Sequence, residues 1–205
     1  MRDRRPDGDP SESSWMFLLA EHNRPLSGYG AHLQRELGRL LGAREAYPTL
    51  HLTIQKFEPL SLEDSSRFWD MVRQAAVGLA PFDLYASNAF VLYSEFRKHH
   101  IAKLVVTYGH AAKRFIELVP SMLESAGAKP LYTRPSELVT FLGDVEHHDV
   151  VVPDSFIEHK PVFTVDSLAL SRYTPRDGFE ISDRLFLTEN QGVVGRSASD
   201  VADRE

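Results

Sequence analysis

The sequence predicts an α+β fold, and three observations support that class. Short apolar or alternating segments, which favour strands, are interspersed with three longer segments whose apolar residues recur at helical spacing. The predicted order along the chain is therefore β-α-β-α-β-β-α-β-β-β. Each half also contains a helix followed by a strand with an x-Thr-apolar pattern, which indicates a weak internal symmetry.

The first half of the chain is predicted to contain two strands and two helices. The apolar run WMFLLA over 15–20 favours a buried strand. Leucines at helical spacing predict a helix over 27–41, and the glycine after it is typical of a helix end. Residues 50–57 (LHLTIQKF) alternate between apolar and polar, as in a strand. Residues 60–79 begin with a cap-like Ser-x-x-Asp pattern and then carry one apolar face, as in a second helix.

The second half is predicted to be richer in strands. A basic turn joins its first two strands, and a helix over 111–126 follows, with aromatic and aliphatic residues on one face. The strands of this half are predicted over 81–93, 101–108, 138–142, 162–170 and 179–187.

Length and composition indicate one folded domain. The chain has 205 residues, of which 42% are hydrophobic and 25% charged, so wholesale disorder is excluded. The polar segments 1–13 and 191–205 are predicted to be disordered, which leaves a single domain over 14–190. Nothing resembles a signal peptide, and the apolar stretches fall far short of the ~20 residues that a membrane helix needs. We therefore expect a cytoplasmic protein without a membrane partner.

Charge and cysteine content narrow the function classes. Acidic side chains outnumber basic ones by 29 to 23, which gives a net charge of −6 with neutral histidines. That balance argues against a protein that coats DNA, although a small basic patch could still bind one phosphate. The absence of cysteine excludes disulfides, thiolate metal sites and a cysteine nucleophile. Nine histidines remain as candidates for acid–base chemistry.

The strand over 50–57 carries the most informative motif, His51-x-Thr53. Side chains alternate along a strand, so His51 and Thr53 share one face while the leucines and Ile54 share the other. An imidazole can exchange protons near neutral pH, and a neighbouring hydroxyl can hold a phosphoryl oxygen. On its own, the pattern also fits an ordinary half-exposed strand.

In its context the motif resembles the 2H phosphoesterase superfamily, which includes 2′-5′ RNA ligase-like proteins and cyclic phosphodiesterases. The segment PTLHLTIQKFEPL, the long helix after it and the later APFDL carry this resemblance. It extends through the strands AFVLYSEF and IAKLVVTY, the helix AAKRFIELVPSMLESAGA and the closing FTVDSLALSRYTPRDGFEISDRLFL. The resemblance thus covers about residues 15–188.

The resemblance implies two pseudo-symmetric lobes, each an antiparallel sheet with helices on its outer face, around a central groove. It also implies two His-x-Thr/Ser motifs that face each other across the groove, with one His as general base and the other as general acid. The two hydroxyls would steady the phosphoryl oxygens without a metal ion or other cofactor. The implied substrate is a 2′,3′-cyclic phosphate or a 2′-5′ linkage in a small nucleotide or an RNA terminus, bound by a monomer.

The second motif departs from the family pattern. Thr140 fits the hydroxyl position, but the histidine position holds Leu138, which cannot transfer a proton. Three explanations stay open. The groove binds a nucleotide or phosphate as a degenerate module without efficient turnover; or His147, His148 or His159 supplies the missing acid or base, with His159 the best placed; or the second motif strand lies elsewhere. No other His-x-Thr/Ser occurs in the sequence.

Further residues near the predicted groove could contact a substrate. Tyr132 and Tyr173 could stack on a base, and Arg134 and Arg172 could neutralise a phosphate. Lys103, close to the basic turn, could contact a phosphate backbone.

Overall fold

The computed structural model describes residues 14–46, 50–95, 98–131, 137–174 and 178–188, which form an antiparallel sheet and three α-helices. The strands are β1 (Trp15–Glu21), β2 (Ala43–Ala46), β3 (His51–Phe57), β4 (Phe82–Ser94), β5 (His99–Tyr108), β6 (Leu138–Val145), β7 (Pro161–Val165), β8 (Ser167–Thr174) and β9 (Gly178–Phe186). The helices are α1 (Gly28–Leu41), α2 (Leu62–Ala75) and α3 (His110–Ser125), and Asp154–Phe156 forms one turn of 3₁₀ helix. None of the helices in these ranges is long and apolar enough to cross a membrane.

The sheet curls back on itself. In the described chain its strand order is β7-β4-β5-β6-β3-β1-β8-β9, with β2 paired to the later part of β6. The strands β7 and β8 are far apart in this order, yet only Asp166 separates them in the chain. The β7 end of the sheet must therefore approach β8. Hydrogen bonds hold this closure, since the Asp166 N–H donates to the Glu21 carbonyl at 3.0 Å and His22 Nδ1 lies 2.7 Å from the Thr164 carbonyl oxygen.

The sheet has a seam where β3 meets β6. These two strands share one registered pair, Leu52 with Val139, whereas β3 pairs with β1 and β6 with β5 over several residues. The seam divides the sheet into an arm of β7, β4, β5 and β6 and an arm of β3, β1, β8 and β9. The two arms are the lobes that the sequence predicts, joined into one sheet, and the predicted α+β class is confirmed.

One face of the sheet packs against the helices around a single apolar core. Leu52 and Val139 of the seam are fully buried in it, together with Leu37 of α1, Phe68 of α2 and Val119 of α3. Burial of each such side chain contributes about 1.5–3 kcal/mol. Strand alternation directs the intervening residues to the opposite face, which we call the inner face.

Three elements differ from the sequence predictions. The strand predicted over 162–170 is two strands, because the chain turns at Asp166, whose carboxylate accepts a hydrogen bond from Asn23 Nδ2 at 2.7 Å. The helix predicted to reach residue 79 ends at Ala75, and Gly78 of the following turn has a φ of 83°. The short strand β2 is new, since four residues carry too little pattern to distinguish a strand from a loop. The predicted disordered segments 1–13 and 191–205 lie outside the described residues.

Two glycines of α1 provide a matched test of how closely this helix packs on β7. A Cβ added at Gly30 would lie 1.9 Å from the Val162 carbonyl oxygen, whereas one added at Gly38 would meet nothing within 4 Å. We expect Gly30→Ala to lower the free energy of unfolding by about 1–3 kcal/mol, since the helix must shift. Gly38→Ala should raise it by about 0.5–1 kcal/mol, since alanine is the better helix former. Urea denaturation of both variants measures this difference, and equal effects would show that α1 does not rest on β7.

Candidate active site

A line of five polar residues, one from each of five adjacent strands, crosses the inner face. Lys103 of β5 pairs with Thr140 of β6, and Glu21 of β1 pairs with both His51 of β3 and Ser167 of β8. The pairing of β3 with β6 runs through Leu52 and Val139, so in an antiparallel register His51 lies beside Thr140. We call Lys103, Thr140, His51, Glu21 and Ser167 the polar row.

Strand alternation explains why the polar row faces away from the core. The residues next to its members along the strands include Ala20, Leu52, Leu104 and Val139, all of which are buried. Burying those neighbours leaves one orientation for each strand, and a slip of one residue would turn the polar row into the core. Adjacent strands lie about 4.8 Å apart, so the backbones of Lys103 and His51 are separated by about 10 Å with Thr140 between them.

A second line of residues lies on the same face, two residues further along the strands than the polar row. The same register places Thr53 of β3 beside Leu138 of β6, and Leu138 pairs in turn with Val105 of β5. The structure therefore brings together His51, Thr53 and Thr140, the three residues that the sequence singled out for catalysis. It also places Leu138, whose exposed fraction is 37%, on the same face as these residues.

An ion pair between a buried carboxylate and a partly exposed guanidinium flanks His51. Glu21 is only 1% exposed, and its carboxylate accepts a hydrogen bond from Arg184 Nε at 2.9 Å. Arg184 lies on β9 opposite Ala169, which itself pairs with Leu19, so the guanidinium reaches Glu21 along the inner face. Arg184 thus compensates the negative charge next to the imidazole.

Lys103 is the cation of the polar row. It is half-buried, and burial lowers the pKa of its ammonium group. Within the described ranges, no carboxylate or hydrogen-bond acceptor pairs with this ammonium. Its N–H donors are therefore available to an anion near Thr140.

Aromatic side chains and a lysine meet at one end of the β1 arm. An extra residue in β3 opposite Leu18 and Leu19 shifts the register, so that Lys56 pairs with Phe17. The Lys56 ammonium lies 3.9 Å from the centre of the Trp15 ring, which is a cation–π contact, and burial lowers its pKa. Tyr173 pairs with Trp15 across β8 and β1, so one residue that the sequence proposed for base stacking joins this aromatic end.

Of the predicted substitutes for the missing histidine, His147 and His148 lie away from Leu138, and His159 contacts the neighbouring part of the sheet. His159 stacks on Tyr85 of β4, two strands from β6, with ring centres 5.3 Å apart. His148 follows the far end of β6 and stacks on His100 with ring centres 4.2 Å apart. The polar row crosses β6 at Thr140, and at about 3.3 Å per residue the end of β6 is about 16 Å further on. His148 therefore does not join the row, and neither does its neighbour His147, which approaches Gly42.

The predicted phosphate and base contacts are not brought together in the described structure. Arg172 pairs with Met16 and alternates with Leu170, so it belongs to the helix-covered face of β8 and not to the inner face. Its place in a substrate site was inferred from charge alone, whereas strand alternation decides the face. Tyr132 and Arg134 lie outside the described residues.

The sequence suggested Lys103 as a phosphate contact but not its place beside Thr140, and it did not indicate Glu21 or Ser167 as site residues. Neighbouring residues of a strand point to opposite faces, so the segment IAKLVVTY predicts that Lys103 faces away from the core leucine that follows it. That pattern cannot reveal Thr140 as its cross-strand partner, since the pairing of distant strands leaves no local signal. The same holds for Glu21, whose partner Arg184 comes from the other end of the chain.

Comparisons with known proteins give structural similarity only. No protein-family model matches the sequence, and no curated protein matches it either. A crystal structure of E. coli LigT in its apo form aligns with 86% of this chain and 99% of its own chain, at 14% identity and a TM-score of 0.49. A crystal structure of a phosphoesterase aligns over the same shares of the two chains, at 14% identity and a TM-score of 0.47.

The burial of the Glu21 carboxylate predicts a large difference between two arginine variants. Arg184→Met leaves Glu21 buried without a counter-charge and should lower the free energy of unfolding by about 2–4 kcal/mol. The double variant Glu21→Gln/Arg184→Met should recover most of that loss. The control Arg73→Met removes ion pairs to Asp70 and Asp183 from an exposed side chain, and should change stability by less than ~1 kcal/mol. Urea denaturation measures all three, and equal losses for the two single variants would contradict the role of Arg184 as the counter-charge of the buried Glu21 carboxylate.

Proposed function

We propose that this chain hydrolyses a phosphodiester, or forms one in the reverse direction. The proposed substrate is a 2′,3′-cyclic phosphate or a 2′-5′ linkage in a small nucleotide or an RNA terminus. The observation that supports it best is the common placement of His51, Thr53 and Thr140 on the inner face of two adjacent strands. An imidazole between two hydroxyls suits a single phosphoryl group, and the family resemblance of the sequence favours these substrates.

The chemistry follows from the side chains. The hydroxyls of Thr53 and Thr140 donate hydrogen bonds to the two non-bridging oxygens of the phosphate. His51 removes a proton from a water molecule, whose oxygen forms a new bond to phosphorus as one ester P–O bond breaks. Hydrogen bonds from these hydroxyls to the charge that develops on the phosphoryl oxygens would stabilise the transition state.

The overall charge and the aromatic end of the β1 arm fit a small substrate. A net charge of −6 disfavours a long nucleic acid, whereas a single phosphate needs only local donors. A nucleobase would lie at this aromatic end, where Trp15 pairs with Tyr173, while its phosphate occupies the site.

A second candidate function is a nucleotide-binding module without turnover. Leu138 favours it, because an apolar side chain lies where the family pattern has its second histidine and remains 37% exposed. Such a module would bind nucleoside monophosphates through the two threonines and release them unchanged.

Replacement of His51 separates the two candidates. With 2′,3′-cyclic nucleotides and 2′-5′-linked dinucleotides in EDTA, we expect His51→Ala to reduce turnover by about 10²–10⁴-fold, since a general base is lost. The matched control is His32→Ala, which alters an exposed histidine on α1. Chromatography of the products measures turnover. Binding without turnover by the wild type would favour the module, and the absence of both would reject each candidate.

The two threonines should act on the phosphate rather than on the fold. Thr53→Val and Thr140→Val keep the shape of the side chain but remove a donor to a charged group, which is worth about 1.5–3 kcal/mol. We therefore expect kcat/KM to fall by about 10–100-fold in each variant. Thr107→Val, an exposed threonine of β5 away from the polar row, serves as the control. Steady-state kinetics that show equal losses in all three variants would contradict a phosphate-binding role.

A further inference from the structure

Lys103 lies on the opposite side of Thr140 from His51. The pairings within the polar row give the order Lys103, Thr140, His51 across three adjacent strands. A phosphate bound to the Thr140 hydroxyl would therefore have the imidazole on one side and the lysine side chain on the other. The two backbones are about 10 Å apart, and both side chains are long enough to reach a group between them.

The reaction needs a proton donor on the side that Lys103 occupies. If His51 removes a proton from water, the oxygen that leaves phosphorus on the opposite side must gain one. Leu138 has no proton to give, and His148 stacks on His100 beyond the far end of β6. Lys103 is the titratable side chain of the described polar row that lies on this side of Thr140.

The surroundings of Lys103 suit a proton donor. It faces Phe90 on β4 and Thr140 on β6, neither of which carries a charge. The diagonal positions on these two strands are also uncharged: Asn88, Leu92, Leu138 and Leu142. The nearest titratable groups of the row are His51 and then Glu21, whose charge Arg184 compensates. Burial lowers the pKa of Lys103 from its usual value, so its ammonium gives up a proton more readily than an exposed lysine does.

We propose that Lys103 takes the place of the second histidine and protonates the leaving oxygen of the phosphodiester. The inference rests on the proposed function. In the hydrolysis of a 2′,3′-cyclic phosphate, His51 accepts a proton from water and the water oxygen bonds to phosphorus. One ring P–O bond breaks, and its oxygen takes a proton from the Lys103 ammonium to become a free ribose hydroxyl. The product is a phosphate monoester, and proton transfer from His51 to Lys103 through solvent restores both groups.

Two substitutions of Lys103 distinguish a proton donor from a simple positive charge. Lys103→Arg keeps the charge, but a guanidinium stays protonated in proteins and does not release its proton. We expect this variant to retain the KM of the wild type within about threefold, while kcat falls by about 100-fold. Lys103→Met removes both functions and should raise KM as well as lower kcat. Lys113→Met on the exposed surface of α3 is the control and should leave both constants unchanged.

The pH dependence of kcat gives an independent readout. The wild-type kcat should fall on the alkaline side as Lys103 loses its proton, with a midpoint below that of an ordinary lysine. The residual kcat of Lys103→Arg should lack this alkaline decline. Thermal unfolding tests whether the variant is folded. Because burial disfavours the charged form in the folded state, the Tm of Lys103→Met should match or exceed that of the wild type at neutral pH.

The outcomes separate this inference from the proposed function. Turnover that His51→Ala abolishes and both Lys103 variants retain would overturn the role of Lys103 and leave the function intact. A Lys103→Arg variant with wild-type kcat would also overturn proton donation, since charge alone would then suffice. A wild type that turns over none of the substrates would overturn the proposed function, and the role of Lys103 with it. Loss of kcat with retained KM in Lys103→Arg, together with the lost alkaline decline, supports the inference.

Discussion

The pairing of Leu52 with Val139 is the contact on which the candidate active site depends. It is the registered pair that joins the two arms of the described sheet, and both residues are fully buried beneath the helices. This pair sets His51 beside Thr140 and Thr53 beside Leu138. A shift of one residue would bury the imidazole and expose the leucines, at the cost of the core on both strands. The core therefore fixes the chemistry of the inner face without contacting it.

Lys103 differs from most of the buried polar groups in the described structure, because its ammonium has no hydrogen-bond partner. The polar side chains that are buried in the described structure each have a hydrogen-bond partner: Glu21, Gln55, Ser167 and Ser171. Such pairing is the rule for buried polar groups, since an unpaired one is costly. Lys103 departs from that rule, as it is half-buried and its donors have no acceptor in the described residues. This imbalance is typical of a group whose partner is a ligand rather than another part of the chain.

Local sequence patterns predict the residues on one side of the site but not those on the other. The alternation of LHLTI indicates that His51 and Thr53 share a polar face, and the symmetry of the two halves indicates Thr140. Each of these predictions uses only a short segment of the sequence around the residue concerned. The juxtaposition of Lys103 with Thr140, and of Glu21 with Arg184, depends on the order of strands in the sheet, which no local window contains. Arg172 shows the converse, because its charge suggested a phosphate contact while its position in the alternation assigns it to the other face.

The fold follows the sequence most closely where turns and caps have a chemical signature. Gly42 ends α1 with a φ of 61°, and the Ser61 hydroxyl accepts a hydrogen bond from the Asp64 N–H at the start of α2. The break between β7 and β8 has no comparable signal, since apolar residues continue on both sides of Asp166. That break depends on long-range hydrogen bonds to Asn23 and Glu21, from the opposite end of the chain.

The central position of β1 sets the order in which the chain can fold. This strand is made first, yet one of its two partners, β8, is made almost last. During synthesis β1 therefore has an unpaired edge next to apolar side chains such as Leu18 and Leu19, and an edge of this kind is prone to pair with other chains. Pairing of such distant segments is also slow, because the entropy of a long loop is lost before the contacts form. The closure of the sheet thus makes folding a late and non-local event, and Glu21 of the polar row gains its partners Ser167 and Arg184 only when the last strands arrive.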